Sequence, residues 1–213
     1  MATKFLSDGP ARAKHTILLA HGAGGPMDTP TMTAAAKALA EAGFRVARFE
    51  FEYMAARRRS PGRKPPPRAE KLGPEYLAAI DALKAKGPLI IGGKSMGGRV
   101  ASMIADDLHA AGRIVGLLCL GYPFHPPGKP EQLRTAHLAK MKTPALIVQG
   151  TRDPFGNRHE VSTYALSKTI KILWLEDGDH DLKPRKSISG FSAADHLETA
   201  AQAAAAWARR VAA

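Results

Sequence analysis

The chain has 213 residues, 45% of them hydrophobic and 23% charged, the composition of a soluble globular protein. A single domain of this size buries roughly 70% of its unfolded surface and needs no disulfide or metal to hold it together. The lone cysteine, Cys119, excludes an internal disulfide, and no run approaches the roughly 18 apolar residues of a membrane span. The 31 basic residues outnumber 19 acidic ones, giving a net charge of +12. Such a field attracts anions and predicts nonspecific affinity for nucleic acid, but it defines no function. The opening MATKFLSDGPARAKH lacks the apolar stretch of a secretory signal, and a cytoplasmic location is expected.

In chain order, HTILLA (15–20) is the first short apolar run and reads as a buried strand, followed at once by the small-residue stretch HGAGG (21–25). TPTMTAAAKALAEAG (29–43) reads as a helix with a threonine cap and a glycine stop. FRVARFEF (44–51) alternates, which suggests a strand nearer a sheet edge. The segment 54–73, MAARRRSPGRKPPPRAEKLG, is rich in Pro, Gly and Arg and reads as a long irregular loop. GPEYLAAIDALKAKG (73–87) has Pro74 at a helix start and Gly87 beyond its end. PLIIGG (88–93) is a third strand run, and MGGRVASMIADDLHAAG (96–112) a helix directly after it. IVGLLCLGY (114–122), PALIVQG (144–150) and KILWLE (171–176) complete six strand runs, with helices expected over 159–169 and 192–213. Strand and helix alternate throughout, so the expected fold is α/β, with about six mostly parallel strands and helices on both faces.

The turn between the third strand and its helix, LIIGGKSMGGR (89–99), admits two chemistries. A phosphate-binding loop requires a glycine five positions before Gly93, where the chain has Pro88, and places buried strand residues where the loop would be. GAGGPM (22–27) similarly fails a dinucleotide fingerprint at Met27. The pattern G-K-S-M-G instead fits a turn that carries a nucleophilic serine, Ser95, between a buried strand and a helix. The backbone N–H of Met96 then opens the helix and is free to stabilise an oxyanion, and the N–H of Ala23 in HGAGG is a second candidate donor.

A serine hydroxyl needs a base, and the base needs a carboxylate to orient it. Asp153 in GTRDPFG follows the fifth strand run and His180 in LEDGDHDL follows the sixth. Both positions fall at the carboxyl ends of strands, where open α/β sheets build their sites. Glu176, Asp177, Asp179 and Asp181 are rival acids, but immediate neighbours rarely reach around to the histidine Nδ1, whereas Asp153 approaches from another strand. The other histidines, including His15, His109, His137, His159 and His196, read as ordinary surface residues, and His21 as a hydrogen-bonder that shapes its turn.

Taken together, HGAGG, GGKSMGGR, GYPFHPPGKPE and the late GDH resemble the α/β-hydrolase superfamily, and within it a small dienelactone-hydrolase-like branch that includes testis-expressed and chromatin-complex relatives. The resemblance covers roughly residues 14–210 and implies one domain, a sheet without a large lid, Ser95 as nucleophile, Asp153 as acid and His180 as base. Dienelactone hydrolases proper use cysteine at the nucleophile position; serine here argues against dienelactone itself as the substrate.

The expected function is therefore hydrolysis of a carboxylic ester or related acyl bond of a small, possibly anionic, molecule, with no cofactor and no metal. The alternative is a non-catalytic member of the same fold that binds nucleic acid or an acidic partner through its basic surface. Gly24, Tyr122, Phe124 and His125 are candidate pocket residues, against the reading of 121–127 as a proline-stiffened loop packed on itself. The basic stretch 56–68 reads either as a solvated loop or as a surface that steers anions.

Overall fold

A computed structural model describes residues 3–59 and 65–211. Its frame is a seven-stranded sheet in the order β1-β3-β2-β4-β5-β6-β7, formed by β1 (Phe5–Asp8), β2 (Thr16–Ala20), β3 (Arg45–Phe49), β4 (Leu89–Lys94), β5 (Gly116–Leu120), β6 (Ala145–Gly150) and β7 (Ile170–Leu175). All neighbours pair parallel except β1, which runs antiparallel to β3. The helices are α1 (Pro30–Glu41), α2 (Glu52–Arg59), α3 (Gly73–Leu83), α4 (Met96–Ala110), α5 (Arg158–Val161), α6 (Lys186–Ser189) and α7 (Ala193–Val211).

The near-continuous apolar runs become strands buried on both faces because successive side chains alternate between two cores. Leu18, Phe49, Ile91, Leu117 and Ile147 join Tyr76 and Ile80 of α3 and Val100 of α4 on one face. Ile17, Leu19, Ile90, Leu118 and Val148 join Met32 and Leu39 of α1 and the alanine stripe and Trp207 of α7 on the other. Small residues in α7 let that helix approach closely. A side chain at Gly116 would collide with Trp207, the nearest atom being 2.7 Å from the added carbon.

Three expectations are corrected. A seventh strand, β1, carries no apolar run; it is held through Arg48, which reaches Asp8 Oδ2 at 2.9 Å, Met27 O and Thr33 Oγ1. The helix expected over 159–169 is a single turn, α5, opened by a capping box between Asn157 and Glu160. It stops because Ser162 and Thr163 hydroxyls bond back to the carbonyls of His159 and Glu160, offering the backbone an alternative to helix. Segment 54–73 is not wholly irregular: it is helical to Arg59 and makes a short 3-10 turn over Ala69–Lys71, while 60–64 lie outside the described residues. Its arginines meet acids close by, Arg58 with Glu50 and Asp28 and Arg59 with Glu52.

Tyr76 locks α3 onto the sheet centre. Its buried hydroxyl accepts from Gly92 N–H at 2.9 Å and faces the carbonyls of Gly92 and Leu18 at 2.7 and 2.8 Å, bridging β4 and β2. Removing it strands a buried donor and leaves two carbonyls without its proton. Tyr76→Phe is expected to cost about 1–3 kcal/mol in unfolding free energy by urea titration, with an unchanged m-value.

Candidate active site

Ser95 sits between the last residue of β4 and the first of α4 with φ 51° and ψ −117°, a left-handed conformation that costs a non-glycine residue on the order of 1–3 kcal/mol. The strain is held by its surroundings. Ser95 N–H donates to Leu120 O of β5 at 3.1 Å, and Ser95 O accepts from Arg99 N–H at 3.0 Å. Glycines are required on either side because backbone meets backbone. A side-chain carbon at Gly93 would lie 2.4 Å from Ala20 O, and one at Gly97 would lie 2.4 Å from Ala20 O and 2.6 Å from His21 O. The start of α4 is thereby packed directly against the end of β2 and the HGAGG loop.

His180 arrives on the turn after β7. Its Nε2 lies 2.8 Å from Ser95 Oγ, and its Nδ1 lies 2.9 Å from Asp153 Oδ2. Asp153 is fully buried just past β6. Its Oδ1 accepts from Phe155 N–H at 2.8 Å and its Oδ2 from the Gln149 amide at 2.8 Å, so both oxygens act as acceptors. The carboxylate therefore calls for a proton on Nδ1, which leaves Nε2 to accept the Ser95 O–H. The Phe155 ring stacks on the imidazole with centroids 4.0 Å apart and fixes its plane.

Of the four rival acids Glu176 is exposed to solvent, and the other three have other employment. Asp181 pairs with Lys94 at 3.4 Å, and Asp179 caps its own turn through the N–H groups of Asp181 and Lys183. Asp177, with a left-handed φ of 55°, is clamped by Arg185, whose backbone N–H reaches Asp177 Oδ2 at 2.7 Å and whose Nε reaches Oδ1 at 3.0 Å. Lys94 is itself buried beside Ser95; burial lowers its pKa, while Asp181 and Asp153 pull it back up. A second serine–histidine pair, Ser102 with His137 at 2.8 Å, is of a different kind. Ser102 lies within α4, is almost fully buried, donates back to Arg99 O, and its histidine has no carboxylate partner among the described residues.

A cavity of about 830 Å³ opens over Ser95 and His180 and is lined by Ala23, Gly24 and Met96, among others. Among the described residues the N–H groups of Ala23 and Met96 have no backbone acceptor. His21, fully buried, holds the loop by bonding Gly22 O at 2.7 Å and accepting from Phe51 N–H at 3.2 Å, and the Tyr53 hydroxyl donates to Ala23 O at 3.1 Å. Of the candidate pocket residues, Gly24 lines the cavity, whereas Tyr122, Phe124 and His125 do not. The turn alternates, so Pro123 faces the cavity while Tyr122 and Phe124 pack against each other in the core and His125 points toward Glu160. His15 and His196 are buried rather than on the surface; His196 Nδ1 bonds Leu182 O at 2.9 Å and ties α7 to the loop that carries His180.

Sequence reasoning missed Gln149 and Phe155. Gln149 bonds Asp153, both backbone polar groups of Tyr122 and the carbonyl of Gly156, and so sets the carboxylate relative to the neighbouring turn. A signal for it existed: it is the polar residue in an otherwise apolar strand run. Phe155 carried none. Among the described residues no group of three or more His, Cys, Asp or Glu is placed to hold a metal ion.

A serine on a strained strand-to-helix turn, bonded to a histidine that is bonded to a buried aspartate, on an open parallel sheet, defines the hydrolase class of α/β protein. Residues 13–209 match the alpha/beta hydrolase domain family, and the chain belongs to it. Its relatives include a putative protein-lysine deacylase, ABHD14B, of Pongo abelii, 31% identical over 149 residues, 70% of this chain and 66% of that protein. The alignment thus spans just under two thirds of that relative's length; the Rattus norvegicus counterpart is 28% identical over 78% of this chain and 75% of its own. Similar solved structures include a dienelactone hydrolase from Anabaena variabilis, with TM-score 0.70, 20% identity and coverage of 98% of this chain and 91% of that one. Another is a serine hydrolase without a lid from Xanthomonas campestris, with TM-score 0.69, 19% identity and coverage of 98% and 88%.

The side-chain bond from Arg185, then the bond from its backbone N–H and then its charge, hold the Asp177 carboxyl well down, at about 2, against the cost of burial. A depressed folded-state pKa contributes stability above the unfolded value near 3.9 and loses it as pH falls toward 2. An NMR titration is expected to find Asp177 ionised down to about pH 2 and to find it back near the ordinary carboxylate value in Arg185→Ala.

Proposed function

We propose that this protein is a serine-dependent hydrolase that cleaves a carboxylic ester or related acyl bond through an acyl-enzyme. The observation that carries the reading is the continuous hydrogen-bonded chain from Ser95 Oγ through His180 to buried Asp153, at 2.8 and 2.9 Å, beneath an open cavity. His180 Nε2 takes the Ser95 proton as Oγ attacks the substrate carbonyl carbon. The carbonyl oxygen, now an oxyanion, is held by the N–H groups of Met96 and Ala23, and the positive end of α4 adds to the field there. The imidazolium formed on His180 is stabilised by Asp153, whose charge is kept in place by Gln149 and Phe155 N–H.

Collapse of the tetrahedral species expels the alcohol, which takes the proton from Nε2. Water then attacks the acyl carbon with His180 as base, a second collapse returns Ser95, and the acid leaves. The same chain of atoms serves an amide if the leaving nitrogen receives the proton, and the relative named as a putative protein-lysine deacylase lends weight to substrates beyond simple esters. Among the described residues no helix is long and apolar enough to cross a membrane; Cys119 is buried in β5, which suits a reducing cytoplasm without requiring it.

Purified protein is expected to react with a fluorophosphonate probe and to hydrolyse p-nitrophenyl esters. Ser95→Ala should abolish labelling and lower kcat by at least ~10³-fold, and Asp153→Asn should lower it by about 10³- to 10⁴-fold by leaving His180 in the wrong tautomer. Full ester turnover by Ser95→Ala, with the fold intact by circular dichroism, would sink the reading.

A further inference from the structure

The cavity has a charged wall that the acyl-transfer steps do not use. Arg99 stands one helical turn beyond Ser95 on α4, about 6 Å along the axis, its N–H donating to Ser95 O. Its guanidinium pairs with Glu70, and its Nε is buried with no partner among the described residues. Arg134 enters from the connection between β5 and β6. Its backbone is fixed: the N–H donates to Phe124 O at 2.7 Å, and the carbonyl accepts from the Tyr122 hydroxyl at 3.1 Å. Its half-buried side chain lines the same cavity, and among the described residues no carboxylate pairs with it. The stretches outside the described residues, 1–2, 60–64 and 212–213, contain no Asp or Glu.

The charges of the wall do not balance. Arg68, Lys94, Arg99 and Arg134 face the cavity against the carboxylates of Glu70 and Asp181. Arg99 engages Glu70 and Lys94 engages Asp181, which leaves exposed Arg68 and half-buried Arg134 without a carboxylate ion pair among the described residues, and of the two it is Arg134 that lies beside Arg99 and is partly withdrawn from water. Burial and then the like charge of Arg99 disfavour the charged state of Arg134, and Glu70, already bound by Arg99, offsets them only in part. Holding two guanidinium groups close together in a half-dry wall is unfavourable unless something negative enters between them. The planar donor forks of arginine match a carboxylate in shape and charge.

We infer that Arg134 and Arg99 form a carboxylate subsite, so that the preferred acyl substrates carry a negative charge about one helical turn from the reacting carbonyl. The inference rests on the hydrolase reading for its substrate and deepens it. The charge belongs to the acyl half or to the leaving group, and matched ester pairs separate these sources. Mono-p-nitrophenyl glutarate against p-nitrophenyl valerate places the charge on the acyl side; 4-acetoxybenzoate against phenyl acetate places it on the leaving group.

Wild type is expected to favour the anionic member of one pair by about tenfold or more in kcat/KM, expressed in KM. The anionic-to-neutral ratio should fall about 10- to 100-fold in Arg134→Gln and recover in part in Arg134→Lys. A wild-type ratio near one for both pairs, or a ratio that neither Arg134→Gln nor Arg99→Gln moves, overturns the subsite. Binding tests it independently of turnover. Glutarate should raise the Tm of Ser95→Ala but not of Ser95→Ala/Arg134→Gln, and an equal shift in both, or in neither, counts against the subsite. Fluorophosphonate labelling of Ser95 reports separately on the hydrolase reading, so each can fail without the other.

Discussion

The candidate site depends on one close approach: the backbone at the start of α4 rests on the backbone at the end of β2, with no side chain between them. Gly93 and Gly97 permit it, since a methyl group at either would come within 2.4 Å of Ala20 O. That contact bends the chain sharply enough to hold Ser95 at φ 51°. It also brings the HGAGG loop beside the serine, which places Ala23 and Met96 on one cavity. A looser turn would relieve the strain and separate the groups.

The histidine and its acid are positioned from the other side of the sheet by polar contacts. The turns after β6 and β7 are laced together by Thr151 N–H to Leu175 O and Arg152 N–H to Gly178 O, at 3.0 and 3.1 Å. Asp177 and Arg185 brace the outer edge, and His196 ties the turn to α7. Asp153 stays at hydrogen-bond distance from His180 because Gln149 grips it from β6. The buried charge is satisfied by three donors, the condition under which a carboxylate is tolerated in a core.

The excess of 31 basic over 19 acidic residues is distributed with some economy. On α2, Arg58 and Arg59 are occupied by nearby acids that brace the segment against the loop after β2. Arg134, by contrast, is held by its backbone on the cavity wall with no carboxylate ion pair among the described residues. Net charge measures neither situation; the local pairing does.

Periodicity and local motifs determined much of this protein in advance. Six apolar runs became six strands, and the alternation with helices set a parallel sheet, because burial on both faces leaves an unmistakable compositional trace. The strand–GxSxG–helix context marked Ser95 as a candidate, and chain order after strand ends pointed to Asp153 and His180, three side chains that the fold brings within hydrogen-bond distance. Only tertiary structure decided the rest. β1 has no apolar run and is recruited by Arg48 from a distant strand. α5 ends after one turn because hydroxyls compete for its carbonyls. Pro123 rather than Tyr122 or Phe124 meets the cavity because the core claims both aromatic rings, which pack on each other and, for Phe124, on Tyr164. That Gln149 and Phe155 support Asp153 and His180 follows from distances between segments, and such a distance is written in no local stretch of chain.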